Sequence, residues 1–166
     1  MKSNSDGVVY LDNFRFTDAS SLFAADNDFE HRKRFEFPPD FVPSLEHSRN
    51  VIRNWICAGK LGTRYAYAVR ATDSDCLVGG CEICPKEKEK DVANLSYWIL
   101  PDYRRRGIAT RAVSIACKTA AEYGITRLEI RVDKDNTASR RIAVKNGFVQ
   151  SSNQDGRACY YWNLLE

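Results

Sequence analysis

The stretch whose residue types and spacing best suit chemistry runs from Leu100 to Thr110 and reads Leu-Pro-Asp-Tyr-Arg-Arg-Arg-Gly-Ile-Ala-Thr. A strand pattern ends there, a turn follows, three arginines precede a glycine, and a helical pattern opens. The first amides of a helix have no intrahelical acceptor and carry the positive end of its dipole. Gly107 lets a ligand come close to the backbone, and Arg104, Arg105 and Arg106 add fixed positive charge. Together these features suit a pyrophosphate. An ordinary basic turn is the competing reading on spacing alone. A second stretch, Asp135 to Phe148, reads as an amphipathic helix in which Asn136 and Ser139 serve as helix-start residues. Alone it carries no function.

Other candidates weigh less. His31 and His47 are the only histidines. His31 sits in the basic run Glu30 to Arg34 and reads as a surface residue, a catalytic role being the alternative. His47 belongs in the first turn of a helix. Cys81-x-x-Cys84 invites a zinc reading, but a structural site needs four ligands and no second pair exists. Residues three apart on a strand also face opposite sides. No metal is expected.

Positioning these groups falls to an alternation of elements. Val8 to Phe16 reads as a strand, with Thr17 and Asp18 capping a short helix through Ala25. Asp26 to Pro43 reads as irregular, because Pro38, Pro39 and Pro43 block a continuous helix. Ser44 caps a second helix whose Leu45, Ile52, Trp55 and Ile56 share a face, ended by Gly59 and Gly62. Tyr65, Tyr67 and Val69 alternate as in a half-buried strand; Cys76–Cys84 and Ala93–Leu100 read as two more, before Pro101. Arg104 to Tyr123 is a long helical pattern, Leu128, Ile130 and Val132 alternate in a strand, and Asn136 to Asn146 is a helix ended by Gly147 and Phe148. A last hairpin turns at Asp155–Gly156. The order predicts an α/β domain with a mixed sheet, antiparallel first, then one strand–helix–strand crossover.

Composition narrows the class. The 166 residues fit one domain, 1–166. Apolar residues at 43% and charged residues at 28% exclude a disordered or collagen-like chain. A net charge of +3 admits an anionic ligand but argues against nucleic acid, as does the lack of aromatics among the loop arginines. No apolar run is long enough for a membrane span, and Met1 to Gly7 lacks a signal-peptide core, so a cytoplasmic chain with six free thiols is expected.

Taken together, the two stretches resemble a known family. Arg104-x-x-Gly107-x-Ala109 after a strand is similar to the acetyl-CoA motif, Gln/Arg-x-x-Gly-x-Gly/Ala, of the GNAT superfamily of N-acetyltransferases. Asn136-x-x-Ser139 leading to Lys145-x-Gly147-Phe148 resembles its second motif. Ser96-Tyr97-Trp98-Ile99-Leu100-Pro101 and Asn136-Thr137-Ala138-Ser139 look most like the RimJ/RimL-like branch of ribosomal-protein N-terminal acetyltransferases. The likeness is strong from about Ala93 to Phe148 and weak before Gly79.

The resemblance implies a GNAT-like fold in which acetyl-CoA enters where two parallel strands splay, Ala93–Leu100 and Leu128–Val132. The pyrophosphate would sit on the amides from Arg104 to Thr110, Ile108, Ala109 and Thr110 included. The pantetheine would lie near Ile99 and Leu100, where a backbone amide polarises the thioester carbonyl. Asn136 would bond the pantetheine amides, Ser139 would lie near the sulfur, and Lys145 would reach the 3′-phosphate. The segment around His31 would help form the acceptor site. The chain departs from its relatives at Asn94, where many carry a Glu base, and at Ala143, where another branch has a Tyr. Glu82 is the best remaining carboxylate, with Glu129 behind it. The implied activity is acetyl transfer from acetyl-CoA to a primary amine, a protein N-terminus, by a monomer or homodimer. The alternatives are a small amine such as an aminoglycoside or polyamine, and an acyl-CoA-binding module weak in catalysis.

Overall fold

A computed structural model of the chain describes residues 4–154 and 157–164. Its elements are β1 (Val9–Asn13), α1 (Ala19–Asn27), α2 (Phe29–Arg34), α3 (Leu45–Lys60), β2 (Tyr65–Ala71), β3 (Leu77–Pro85), β4 (Val92–Ile99), α4 (Ile108–Glu122), β5 (Arg127–Asp133), α5 (Thr137–Lys145), β6 (Val149–Gln154) and β7 (Arg157–Asn163). The strands form one mixed sheet ordered β1-β2-β3-β4-β5-β7-β6. β1 to β4 are antiparallel neighbours, β5 is parallel to β4, and β7 and β6 complete the far edge antiparallel. The mixed sheet with one crossover, expected from the sequence, is the architecture.

Two apolar layers sandwich the sheet. On one face Ile108, Ala112, Ile115, Ala116 and Ala120 of α4 pack on Val69, Cys81, Leu95 and Leu128. On the other, Leu22 of α1 and Ile52 of α3 meet Ala68, Leu77 and Trp98. β2 is therefore buried on both faces from Tyr67 to Arg70, and the half-buried alternation expected there does not hold. β5 keeps it, with Leu128, Ile130 and Val132 buried.

Local chemistry explains the other departures. β1 stops at Asn13 because residues 16–18 wind into a 3₁₀ turn, and the Asp18 carboxylate accepts from the Arg15 amide and from Arg70 rather than capping α1. α2 interrupts the segment expected to be irregular: Asp28 caps it by accepting from the His31 amide at 2.9 Å, and the prolines lie beyond its end. Leu45 is 44% exposed and does not share the buried face of Ile52. α4 starts at Ile108, not Arg104, because Arg105 (φ 62°) and Gly107 (φ 77°) are left-handed and break helical continuity. Ser44 and Asn136 cap α3 and α5 as expected. Phe148 is buried, its amide bonded to the Ala143 carbonyl. The turn expected at Asp155–Gly156 lies outside the described residues. No described helix is long and apolar enough to cross a membrane.

Candidate active site

The parallel pairing of β4 with β5 is short. Val92, Ala93 and Asn94 register with Arg127, Leu128 and Glu129, and beyond them the strands part. On the other side, the Leu100 amide donates to the Val78 carbonyl of β3 at 2.9 Å. Backbone groups alternate along a strand, so the amides of Ile99 and Tyr97 point toward β5, into the gap. Leu100, expected beside the cofactor, spends its amide on the sheet and packs in the layer of Trp98.

A cavity of about 570 Å³ fills this gap. It is lined by Ile99 and Tyr97 of β4, by Arg104 and Arg105 of the turn, and by Gly107, Ile108, Ala109 and Thr110 at the start of α4. Asn136 and Ser139 of α5 close the opposite wall. Gly107 caps α4 with no side-chain hydrogen bond, and the first helical bond is from the Arg111 amide to the Gly107 carbonyl at 3.2 Å. The amides of residues 108–110 thus open onto the cavity as donors for an anion.

Several expected residues stand elsewhere. Arg106 lies over the Tyr103 ring, 5.5 Å from its centroid. Lys145 borders a separate groove between α5 and the β6–β7 pair, with Arg140 and Tyr160. Arg141, missed in the sequence because it reads as a solvated helix residue, borders both spaces. The Asn136 side-chain Oδ1 accepts from the Ser139 amide at 3.1 Å, so Asn136 is the cap and the Ser139 hydroxyl is not. Tyr97, also missed, has a buried hydroxyl with no hydrogen bond among the described residues. Burial pushes it up to about 12, and neighbouring Ser139 pulls it only part of the way back.

Arg104 is not a free cation. Its Nε donates to the Ile99 carbonyl at 3.0 Å, and its guanidinium pairs with Asp28, the cap of α2. Burial alone would raise the Asp28 carboxyl, but Arg104 and the His31 amide bring it below its ordinary value. At the other end of α2, Arg34 pairs with Asp133 at 3.3 Å and Asp135 at 2.7 Å, and Lys33 with Asp135 at 3.2 Å. α2 therefore crosses the mouth of the gap and is tied to both walls.

Behind Trp98 lies a second, smaller cavity of about 190 Å³. His31, Phe35 and Trp98 line both cavities and form the partition. The structure corrects the surface reading of His31, which is only 7% exposed. Its Nε2 is 3.6 Å from Oδ1 of buried Asp26, and its ring stands edge-on to Trp98 and tilted on Phe35. The spacing of His31 and Phe35, one helical turn apart, was the available signal.

Glu82 lines the inner cavity and not the outer one. Burial pushes its carboxyl above the ordinary range, while Arg64, 3.2 Å away, and then His31 oppose the shift. Glu129 is instead paired with Lys86 at 2.8 Å. Asn94 is exposed and Ala143 is buried in the core. Cys81 is buried under α4, and Cys84 is also a free thiol.

The Acetyltransferase (GNAT) domain model matches residues 9–149. The chain is 27% identical over 112 residues to the ribosomal-protein-serine acetyltransferase of Escherichia coli K12, which is 67% of this chain and 62% of that protein. The match thus spans less than two thirds of that relative's length. Among solved structures, RimL, a ribosomal L7/L12 α-N-protein acetyltransferase in complex with coenzyme A, superposes with a TM-score of 0.83 at 19% identity, over 96% of both chains. Mycobacterium smegmatis RimJ in complex with a CoA disulfide gives 0.76 at 20% identity, over 96% of this chain and 83% of its own. With a match across most of its length and this architecture, the chain belongs to the GNAT acetyltransferase family.

Proposed function

We propose that the chain transfers an acetyl group from acetyl-CoA to a primary amine, and that this amine is the N-terminal α-amino group of a protein. One observation carries the reading: β4 parts from β5 past Asn94, directly beside the uncapped start of α4. The parting frees the backbone donors of Tyr97 and Ile99, and the helix start offers amides to phosphate. The protein target is drawn from the names of the relatives.

In this reading the pyrophosphate takes the amides of Ile108, Ala109 and Thr110 and the charge of Arg105. Arg141, with Lys145 beyond it, extends the positive field toward the 3′-phosphate. The pantetheine runs along β4, where the Ile99 amide donates to the thioester carbonyl and stabilises the oxyanion as it forms. The Asn136 side-chain NH2, its oxygen being used in the cap, donates to the pantetheine. The Ser139 hydroxyl, next to Tyr97, passes a proton to the departing thiolate. A thioester is already activated, so this chemistry asks for no metal.

Release of free CoA thiol, measured with ribosomal-protein N-terminal peptides beside polyamines and aminoglycosides, tests the reading. Turnover with the peptides is expected. Acetyl-CoA binding without turnover of any amine would leave a binding module, and turnover of small amines alone would move the acceptor class.

A further inference from the structure

We infer that the cavity behind Trp98 is the acceptor-ammonium site and that His31 is the group that takes the proton from the amine. The inference rests on the acetyl-transfer reading. An attacking amine must touch both the thioester in the outer cavity and a proton acceptor. His31 is the one titratable side chain among the described residues lining both cavities. Glu82 reaches only the inner one.

The surroundings suit a cation that then loses its charge. Asp26 from α1 and Glu82 from β3 supply carboxylates, and Trp98, Trp55, Phe35 and Phe37 supply aromatic walls. The remaining charged or titratable neighbours are His47 from α3, Arg64 ahead of β2, and Asp28 at the cap of the helix carrying His31. Arg64 is held by Glu82 and Asp28 by Arg104, which leaves Asp26 facing the imidazole. Asp26 Oδ1, 3.6 Å from Nε2, is placed to hold the ring by that nitrogen. Imidazole changes charge near neutral pH, which suits a general base.

One ammonium proton passes to His31, leaving a neutral amine. Its nitrogen bonds to the thioester carbon, and the C–S bond breaks. A second proton leaves the nitrogen and reaches the sulfur, giving the amide and the CoA thiol. His31 then returns its proton to solvent. Glu82, in this scheme, holds the incoming charge and is not the base.

The test is kcat and KM for a peptide amine between pH 5.5 and 9, by CoA release, on the wild-type chain and on H31Q, D26N and E82Q. The thermal shift given by acetyl-CoA reports folding and an intact cofactor cleft. His31→Gln is expected to lower kcat about 10²-fold or more near pH 7 and to recover as pH approaches the amine's own pKa, with the acetyl-CoA shift retained. Asp26→Asn removes the carboxylate that holds the ring, so kcat should fall with the acetyl-CoA shift retained. Glu82→Gln should raise the amine KM and leave the acid limb of kcat in place. A wild-type acid limb in H31Q, or a limb that vanishes in E82Q, would overturn the inference. Should H31Q lose the acetyl-CoA shift through misfolding, an unchanged kcat in D26N overturns it instead. If the wild-type chain releases no CoA with any amine, the acetyl-transfer reading itself falls. Wild-type turnover with an unaffected H31Q sinks only the role of His31.

Discussion

The two sides of β4 are held by different forces. Under α4 the contacts are apolar and continuous, from Ile108 through Ala120 onto the sheet. Across the sheet, α1 to α3 form a smaller apolar layer, and α2 is fastened by ion pairs at both ends. Close packing resists small displacements, whereas exposed ion pairs contribute little and are screened by salt. The α4 side, proposed above for the cofactor, is thus a fixed template, and the α2 side, proposed for the acceptor, an adjustable one.

The sharpest way to break this contrast is at the template. Gly107 is left-handed, so a side chain there strains the turn that presents the helix-start amides, and its β-carbon, with no protein atom within 4 Å, would project into space proposed for the phosphate. Gly107→Val should weaken acetyl-CoA binding about 100-fold, the loss of one or two charge-assisted hydrogen bonds, with a folded far-UV spectrum. Calorimetric titration checks it; normal affinity would put the phosphate elsewhere. The next effect belongs to the other side. A β-carbon on Gly80 would collide with the Trp98 indole. Gly80→Ala should cost about 1–3 kcal/mol in a denaturant melt and raise the amine KM while sparing acetyl-CoA affinity. Weakened acetyl-CoA binding in that variant would show that the two sides are not separable at Trp98.

Smaller effects sharpen the comparison. Asn136, not Ser139, caps α5, so Asn136→Ala should cost about 1 kcal/mol, and Ser139→Ala less than about 0.5 kcal/mol. Ser139→Ala should instead lower kcat by about tenfold or more without weakening acetyl-CoA binding. A destabilised variant with normal kcat would return Ser139 to a structural role. The smallest change is expected at Asp28. Its folded pKa lies below the ordinary value, so its contribution is present above about pH 4 and fades as pH falls through the folded value. Asp28→Asn, which keeps a capping oxygen, should cost less than about 1 kcal/mol near neutrality, because Arg104 is partly exposed. The gap in melting temperature should close as pH drops toward 2–3; a constant gap would mean that the charge is not what holds α2.

The elements beside the proposed cofactor site were legible because local rules govern them. Arg104-x-x-Gly107 marks a helix start, Asn136 a cap, and Leu128, Ile130 and Val132 a period that burial obeys. The acceptor side depends on contacts distant in sequence. The basic run Glu30 to Arg34 gave no sign of how it is fastened, because the partners of Arg34, Asp133 and Asp135, lie about 100 residues away. His31 looked exposed for the same reason: Trp98, which covers it, is read only once β4 is placed beside α2. The short pairing of β4 with β5 leaves no mark in a strand pattern, since the residues past Asn94 alternate as before.

The pairing of Arg104 with Asp28 joins a phosphate-side residue to the cap of the helix that carries His31. Were a bound pyrophosphate to compete with Asp28 for Arg104, acetyl-CoA affinity and amine affinity would, under the proposed function, be linked, each changed by the same factor. On that reading one ion pair would suffice to make the two substrates coupled ligands.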